Sequence, residues 1–203
     1  MNDEQFLKSQ QRNRTEEHLK SALIQLIKKK GYHAISVKDI VDQACYNRST
    51  FYLHYQDKFV LAEELLNTKL EGLRFAVGKP YSHGQKVYTN KLNSESFQIV
   101  DYIYENRDFF ELIRYDDTLP GLHTGFPQTI LKIYEEQFIF DTINDVPVNM
   151  EYFKYYTAYG FFGILNNWIL SGFRESRDMF IKNVIELSKT HIHSFHYVGN
   201  KLE

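Results

Sequence analysis

Apolar residues in the first third of the chain recur three and four positions apart, the spacing of one helix face. The first such segment opens at Thr15, a residue type that favours the N-cap position, and it ends before Gly31. The basic run Lys28–Lys30 suits the negative C-terminal end of a helix dipole. The pattern therefore predicts a helix between Thr15 and Gly31, preceded by a polar, frayed or loosely helical arm over residues 1–13.

Two shorter helices follow, and capping residues mark where they begin. Ser36 and Asp39 have the spacing of a capping box, and an apolar stripe runs from there to about Ala44. Asn47 is the next N-cap residue and opens a helix that ends near Tyr55. Three short helices joined by tight turns form a compact unit of the helix-turn-helix type.

The rest of the chain also has a helical pattern. Asp57 caps a fourth helix that continues to about Val77, and the segment 78–94, rich in Gly, Pro and Asn, is a loop and a candidate domain boundary. Further helices are predicted at about 94–106, 107–116, 126–141, 148–172 and 176–196. Because no alternating β-branched run competes with them, the predicted fold class is all-α: an N-terminal three-helix unit and a larger helical C-terminal domain.

Composition is that of an ordinary globular protein. The chain has 203 residues, of which 43% are hydrophobic and 25% charged. Its net charge of −2 does not by itself indicate a nucleic-acid binder, so the distribution of charge matters more. The first sixty residues hold ten Lys and Arg against seven Asp and Glu, which makes the N-terminal end the basic one.

Several function classes are disfavoured. The single cysteine, Cys45, excludes an internal disulfide framework and a thiolate zinc cluster, and it fits a reducing compartment. The polar N-terminus and the lack of a long apolar run predict a cytoplasmic protein with no membrane segment. His191, His193 and His196 invite a metal interpretation, but no carboxylate or cysteine completes a ligand set, so a structural or exposed role is favoured. We expect no cofactor, no metal and no enzymatic activity.

The third helix carries the candidate chemistry. Phe51 and Tyr55 lie four residues apart on its inner face, which leaves the polar residues free to point elsewhere. Arg48, Ser49 and Thr50 are residue types that read base edges or pair with phosphate in a major groove. A solvated polar face on an ordinary packing unit is the alternative.

At this point the sequence resembles a known family. The segments that carry the resemblance are Arg14-Thr15 through Gly31-Tyr32, Ser36–Ile40, Ser49–Tyr55 and Asp57-Lys58. They resemble the N-terminal domain of TetR-family (tetracycline-repressor-like) regulators over about residues 14–66. The resemblance implies an all-helical homodimer with two reading heads on a palindromic double-stranded DNA operator, and a C-terminal domain that holds an effector pocket and the dimer interface.

The resemblance also implies roles for individual residues. In the family, bases or phosphates are contacted from the positions that Arg48, Ser49 and Thr50 occupy here, next to the cap at Asn47. The family contacts the DNA backbone from the positions of Tyr52, His54 and Lys58. Its second helix approaches a phosphate at the positions of Ser36 and Lys38.

The turn departs from the family pattern. Cys45 and Tyr46 stand where the family usually has a small glycine and a small aliphatic residue, and Asn47 replaces a common serine. Cys45 would be strained if its position needs a left-handed backbone. Tyr46 either packs inward or adds a DNA contact, and the sequence leaves both open.

The end of the chain is similar to the last part of the family's C-terminal domain, in a branch that includes regulators of dihydroxyacetone kinase genes. There, one long helix and the last helix form a four-helix dimer seam. Residues expected in this seam, or equally in the core, are Phe161, Ile164, Leu165, Trp168, Val184 and Leu187. No residue of the chain is singled out for an effector.

The sequence thus predicts an arm at 1–13, a DNA-binding domain at 14–60 and a ligand-binding or dimerisation domain at 61–203. The expected function is transcriptional regulation, as a repressor, by a homodimer modulated through its C-terminal domain. One alternative is a co-activated regulator whose C-terminal domain binds a protein. A rival from another class is an all-helical small-molecule binder or enzyme that does not bind DNA.

Overall fold

A computed structural model of the chain describes residues 3–200, with side chains from Gln10 onward. Residues 1–2 of the predicted arm and 201–203 of the predicted C-terminal domain lie outside the described residues. The N-terminal elements are α1 (Asp3–Lys30), α2 (Val37–Ala44), α3 (Arg48–His54) and α4 (Lys58–Gly78). All four helices predicted in this part of the chain are therefore present.

Most of the predicted helix boundaries are confirmed, because they depend on local hydrogen bonds. Ser36 and Asp39 form the reciprocal capping box, and the Asn47 side chain caps α3 by accepting from the backbone N–H of Thr50. The Asp57 carboxylate accepts from the first backbone N–H groups of α4. Gly31 ends α1 with a φ of 76°, in the left-handed region that glycine adopts without strain.

The start of α1 differs from the prediction. Thr15 does not cap the helix but lies inside it, and its hydroxyl donates to the carbonyl of Gln11 at 3.0 Å. The predicted arm is, from Asp3, the first part of the same helix. No proline or glycine interrupts residues 3–14, so nothing in the sequence stops the helix from extending past Thr15.

The chain divides into two compact units. The first contains the described residues up to Thr68 together with residues 112–122, and the second contains the remainder. The first unit extends past residue 60, where the DNA-binding domain was predicted to end. Leu61 and Leu65, in the first half of α4, are completely buried. The core of this unit is formed by large apolar side chains of all four helices and the turn after α1, including Leu19, Leu23, Ile27, Tyr32, Ile40 and Phe51.

The second unit is mainly helical, and the predicted all-α class is confirmed. Its helices are α5 (Gln98–Glu105), α6 (Arg107–Phe110), α7 (Leu122–Gln137, which begins in the first unit), α8 (Met150–Leu170) and α9 (Arg177–Ser188). Short 3-10 turns link several of these helices. Within the part of the chain that the structure describes, no helix is both long enough and apolar enough to cross a bilayer.

A small antiparallel sheet corrects the prediction at three places. Its strands are β1 (Lys86–Tyr88), β2 (Phe138–Thr142) and β3 (Ile192–Tyr197), in the order β1-β3-β2. They replace part of the predicted loop and the ends of the helices predicted over 126–141 and 176–196. Strand β2 alternates in burial, with Ile139 exposed between two buried residues, which is the period of a strand.

Candidate nucleic-acid interface

Helix α3 is fixed by one buried aromatic face. Phe51 is completely buried, and its ring lies 5.8 Å from the ring of Tyr55, which is also buried. The remaining described positions of this seven-residue helix are exposed or half-buried, including Arg48, Ser49 and Tyr52. Packing therefore orients α3 so that a mostly polar surface faces solvent.

Asn47 organises the N-terminal turn of α3 around a single oxygen. Its Oδ1 accepts from the backbone N–H of Thr50 at 2.8 Å, from the Ser49 hydroxyl at 2.6 Å and from the Thr50 hydroxyl at 2.9 Å. The hydroxyl protons of Ser49 and Thr50 are thus directed at the Asn47 side chain. These two side chains offer acceptor oxygens to an approaching molecule rather than donors.

The basic residues of the first unit fall into two groups. Arg12, Lys20 and Lys30 are paired with carboxylates of their own chain. Among the described residues of this unit, the exposed cations without a carboxylate partner are Arg14, Lys29, Lys38, Arg48 and Arg114; Lys29 donates instead to the side-chain oxygen of Gln43. Two of these five, Lys38 and Arg48, belong to the set predicted from the sequence to contact DNA.

Helix α2 begins with a strongly held carboxylate. The hydroxyl of Ser36 donates to Asp39 at 2.6 Å, and Lys30 lies 2.9 Å from the same carboxylate. These two interactions hold the pKa of Asp39 far below its usual range. Ser36 is exposed at this helix N-terminus and Lys38 is exposed in the first turn, as a phosphate contact requires.

His54 is turned toward α1 and away from solvent. Its Nδ1 lies 3.1 Å from the Glu16 carboxylate, and only 10% of its side chain is exposed. Tyr46 likewise packs on α1, because its hydroxyl lies 2.9 Å from Nδ1 of His18. Tyr46 is half-buried against α1, and the placement of His54 does not favour a DNA contact.

Lys58 also has an internal role. Its ammonium donates to the carbonyls of Tyr32, His33 and Ile35 at 3.1, 3.3 and 2.7 Å. It lies 4.6 Å from the centre of the Tyr32 ring as well. An ammonium has three protons, so these carbonyls use its full donor capacity. This geometry does not support the predicted contact of Lys58 with the DNA backbone.

The turn after α1 is held from the other side by Asp117. The backbone N–H of Tyr32 donates to the Asp117 carbonyl at 3.1 Å, and the backbone N–H of His33 donates to its carboxylate at 3.2 Å. A β-carbon at Gly31 would collide with that carboxylate. Asp117 belongs to segment 112–122, which leads directly into α7.

The turn between α2 and α3 contains the strained residue that the sequence indicated. Cys45 has a φ of 60° and a ψ of 38°, which is left-handed helical conformation. Its backbone N–H and that of Tyr46 donate to the carbonyls of Asp42 and Val41 at 3.3 and 2.9 Å. These bonds close the helix end at a position where a β-carbon is unfavourable.

The residues expected at the dimer seam are mostly part of the core. Phe161, Leu165, Trp168 and Val184 are buried within the chain itself, and the Trp168 ring stacks on Phe180 at 4.5 Å. Of the two alternatives stated for these residues, core or interface, burial within their own chain favours the core. Ile164 is half-buried, and Leu187 is the exposed member of the set.

Other residues of α8 and α9 are the exposed apolar ones, and the sequence did not single them out. They are Met150, Tyr152, Tyr155, Tyr156, Tyr159, Leu170 and Met179. On α3, sequence reasoning likewise missed Leu53, which is 79% exposed. The available signal was its spacing of two residues from the inward Phe51, which turns it to the opposite side of the helix.

Two family models match the chain. The one described as "Bacterial regulatory proteins, tetR family" matches residues 20–65, and the one described as "Transcriptional regulator C-terminal region" matches residues 91–190. The chain belongs to the TetR family. It is therefore a DNA-binding transcriptional regulator. The first of the two matches covers α2 and α3 completely.

The TetR-family regulator also has similar relatives. The uncharacterized HTH-type transcriptional regulator YxbF of Bacillus subtilis strain 168 is 25% identical over 175 residues, which cover 85% of this chain and 44% of the relative. The regulator thus spans less than half the length of that protein.

Solved structures agree on the fold. A TetR transcriptional regulator of Streptococcus agalactiae 2603V superposes with a TM-score of 0.57 at 22% identity, over 91% of this chain and 97% of that one. The dihydroxyacetone kinase operon activator DhaS superposes with a TM-score of 0.59 at 20% identity, over 87% of this chain and 94% of that one.

Replacing Cys45 by glycine should stabilise this TetR-family regulator. A residue with a β-carbon costs about 1–2 kcal/mol in left-handed conformation, and the larger unfolded-state entropy of glycine offsets part of that gain. We expect Cys45→Gly to raise the free energy of unfolding by about 1 kcal/mol in urea denaturation. Cys45→Ala is the matched control, since it keeps the β-carbon. A glycine variant no more stable than the alanine variant would contradict the strain.

Replacing Lys58 by methionine should destabilise the fold and leave the salt dependence of DNA binding unchanged. Three carbonyls lose their donor, which costs about 1–3 kcal/mol of unfolding free energy. Lys38→Met is the control, because the exposed Lys38 should show the reverse: unchanged stability and a weaker salt dependence. Urea denaturation and binding titrations at several salt concentrations check both. A weaker salt dependence of DNA binding in Lys58→Met would contradict this expectation and indicate that Lys58 contacts a phosphate.

Proposed function

We propose that this regulator binds a palindromic operator as a homodimer, with one α3 in the major groove of each half-site. The observation that carries the proposal is the exposed, unpaired Arg48 at the N-terminal turn of α3, where base edges come within reach. The DNA-facing set that we propose is Ser36, Lys38, Asn47, Arg48, Ser49, Thr50 and Tyr52. His54 and Lys58 act indirectly, by positioning α3 and the turn before α2.

The contacts divide by chemistry. The Arg48 guanidinium can donate two parallel hydrogen bonds to a guanine edge or to a phosphate. The exposed Lys38 in the first turn of α2 attracts a phosphate, and the Ser36 hydroxyl beside it would reach that phosphate by exchanging its hydrogen bond to Asp39. Tyr52 is 58% exposed, so its phenol can reach the sugar-phosphate backbone. Ser49 and Thr50 present acceptor oxygens, which suit the amino groups of adenine or cytosine.

A palindromic operator requires a two-fold dimer, and we propose that the dimer forms through α8 and α9. Tyr152 and Tyr156 are each 74% exposed and lie one turn apart on α8. A β-carbon built at Gly160 or Gly163 meets no atom within 4 Å, so this face leaves room for a second helix to approach closely. Leu187 adds an exposed apolar side chain from α9. Pairing these faces about a two-fold axis would bury aromatic surface that is now in water.

A cavity in the second unit is our candidate for the effector site. It has a volume of about 250 Å³ and is lined by residues of α7, α8 and α9 and by His191; because Tyr156, Gly160 and Leu187 belong both to this lining and to the proposed dimer face, the cavity would lie at that interface. The Oγ1 of Thr157 and the Nε2 of His191 are buried and have no hydrogen-bond partner among the described residues. Burial lowers the pKa of His191, which favours its neutral form. A small, neutral, mostly apolar molecule with one or two hydrogen-bonding groups fits this chemistry.

Effector binding can reach the DNA-binding unit along the chain. Segment 112–122 continues into α7, which contributes Tyr134 to the cavity. The same segment carries Asp117, whose bonds hold the turn before α2. A ligand that shifts α7 would therefore move Asp117, disturb its hydrogen bonds to this turn and change the placement of α3. We propose that effector control of DNA binding uses this route.

Repression is the direct consequence of such binding, because a dimer seated on an operator that overlaps a promoter excludes polymerase. Activation, with a protein co-regulator on the C-terminal domain, is the second candidate. It is favoured by one observation: the fold is similar to that of a protein described as an operon activator. Native mass spectrometry of the chain purified from its host distinguishes a bound small molecule from a bound second protein. As a DNA-binding regulator, the protein would act in the cytoplasm.

Removing Arg48 should weaken operator binding. We expect Arg48→Ala to raise the dissociation constant about tenfold or more, because one bidentate contact contributes about 1–3 kcal/mol. An operator selected from random duplexes with the full chain, followed by anisotropy titrations, provides the measurement. Lys132→Ala, an exposed lysine of α7, is the matched control and should bind normally. Equal affinity of the two variants would contradict the proposed interface.

Placing a charge on the exposed face of α8 should separate the dimer. Tyr156→Asp introduces a carboxylate where we propose that two apolar faces meet, and an unpaired buried charge is strongly unfavourable. Light scattering at micromolar concentration should change from dimer to monomer. Ile139→Asp, a charge on another exposed apolar residue, in β2, should stay dimeric. A dimeric Tyr156→Asp variant would place the interface elsewhere.

A further inference from the structure

The side chain of Leu53 lies on the side of α3 that is opposite its buried face. Successive residues of a helix are rotated by about 100°, so Leu53, two residues after Phe51, points about 200° away from it. Ser49, two residues before Phe51, points into the same sector, one turn from Leu53. Since Phe51 is the completely buried anchor of this helix, Ser49 and Leu53 are the side chains that face directly away from the core.

The exposure of Leu53 agrees with that position. At 79% it is the most exposed large hydrophobic side chain of the described part of the chain. A single exposed leucine is common on protein surfaces and identifies nothing by itself. Leu53 differs in its location, because it projects from the surface that a DNA groove would cover.

The hydrogen-bonding capacity around Leu53 is limited. The hydroxyl protons of Ser49 and Thr50 are taken up by the Asn47 Oδ1. His54, the next residue along, is paired with Glu16 and largely covered. In the second turn of α3, base recognition by donors is therefore restricted to Tyr52, and the remaining surface is apolar.

The major groove offers one apolar group for such a surface to recognise. Thymine carries a C5-methyl group on its major-groove edge, whereas cytosine, adenine and guanine present only polar groups or ring hydrogens there. We propose that Leu53 packs on a thymine methyl in each operator half-site and so selects thymine at that position. This inference rests on the proposed DNA-facing surface of α3, and it assigns to Leu53 a role in specificity.

Uracil differs from thymine only by lacking this methyl group, which allows a direct test. In the selected operator, each thymine is replaced in turn by deoxyuridine, and the affinity of the full chain is measured. We expect one position in each half-site to weaken binding about fourfold, the effect of removing one buried methyl-sized group. With Leu53→Ala, the same replacement should change affinity less than 1.5-fold (roughly the scatter of such titrations).

Two further variants make the test specific. Leu53→Met keeps an apolar side chain and should keep most of the uracil effect. Arg48→Ala should bind more weakly overall and still show the full uracil effect, because its contact does not involve the methyl group. Thermal unfolding should be unchanged in Leu53→Ala, since the side chain is exposed.

The outcomes separate the inference from the proposed function. Failure of the full chain to select any duplex would overturn the DNA interface itself. Sequence-specific binding with no uracil-sensitive position would overturn only the role of Leu53. A uracil effect that persists in Leu53→Ala would assign the methyl contact to another residue and would also overturn it.

Discussion

The ammonium group of Lys58 donates to three carbonyls of the turn between α1 and α2, and the reading head depends on this contact. These carbonyls lie in the turn after α1, outside the hydrogen-bond ladder of any helix, and buried backbone acceptors need a donor from elsewhere in the fold. A cation placed there satisfies them and ties the first turn of α4 to the end of α1. The N–H groups of the same turn are satisfied by Asp117. One turn is thus held by a cation from α4 and an anion from segment 112–122.

The position of α3 follows from that turn and from the next one. The first turn sets where α2 begins, and the Ser36–Asp39 capping box fixes the direction of its first residues. The second turn reverses the chain through the left-handed Cys45, whose strain is offset by the packing that follows it. Tyr46 bonds to His18 and Phe51 fills the core, so α3 is held from both ends. A strained residue persists where its surroundings leave no alternative conformation.

Local features of this fold were predictable from the sequence, and features that need a distant partner were not. The caps at Ser36, Asn47 and Asp57 depend on neighbours within three residues, and they are as expected. The sheet joins strands about fifty residues or more apart, so no single segment carried enough signal. His54 and Lys58 look like free surface groups in the sequence, and only the folded chain supplies the carboxylate and carbonyls that engage them. Likewise, periodicity placed Leu165 and Trp168 on one face of α8 but could not tell core from interface.

Internal pairing limits the positive charge that this chain, whose net charge is −2, can offer to DNA phosphates. Three cations of the first unit are neutralised by carboxylates of their own chain, and its exposed described cations without a carboxylate partner are Arg14, Lys29, Lys38, Arg48 and Arg114. Non-specific affinity for DNA grows with the number of phosphates neutralised, so a head with few free cations binds arbitrary sequences weakly. Recognition must then depend more heavily on contacts to the bases themselves. An exposed leucine facing the groove fits this arrangement, because an apolar contact adds discrimination without adding affinity for phosphate.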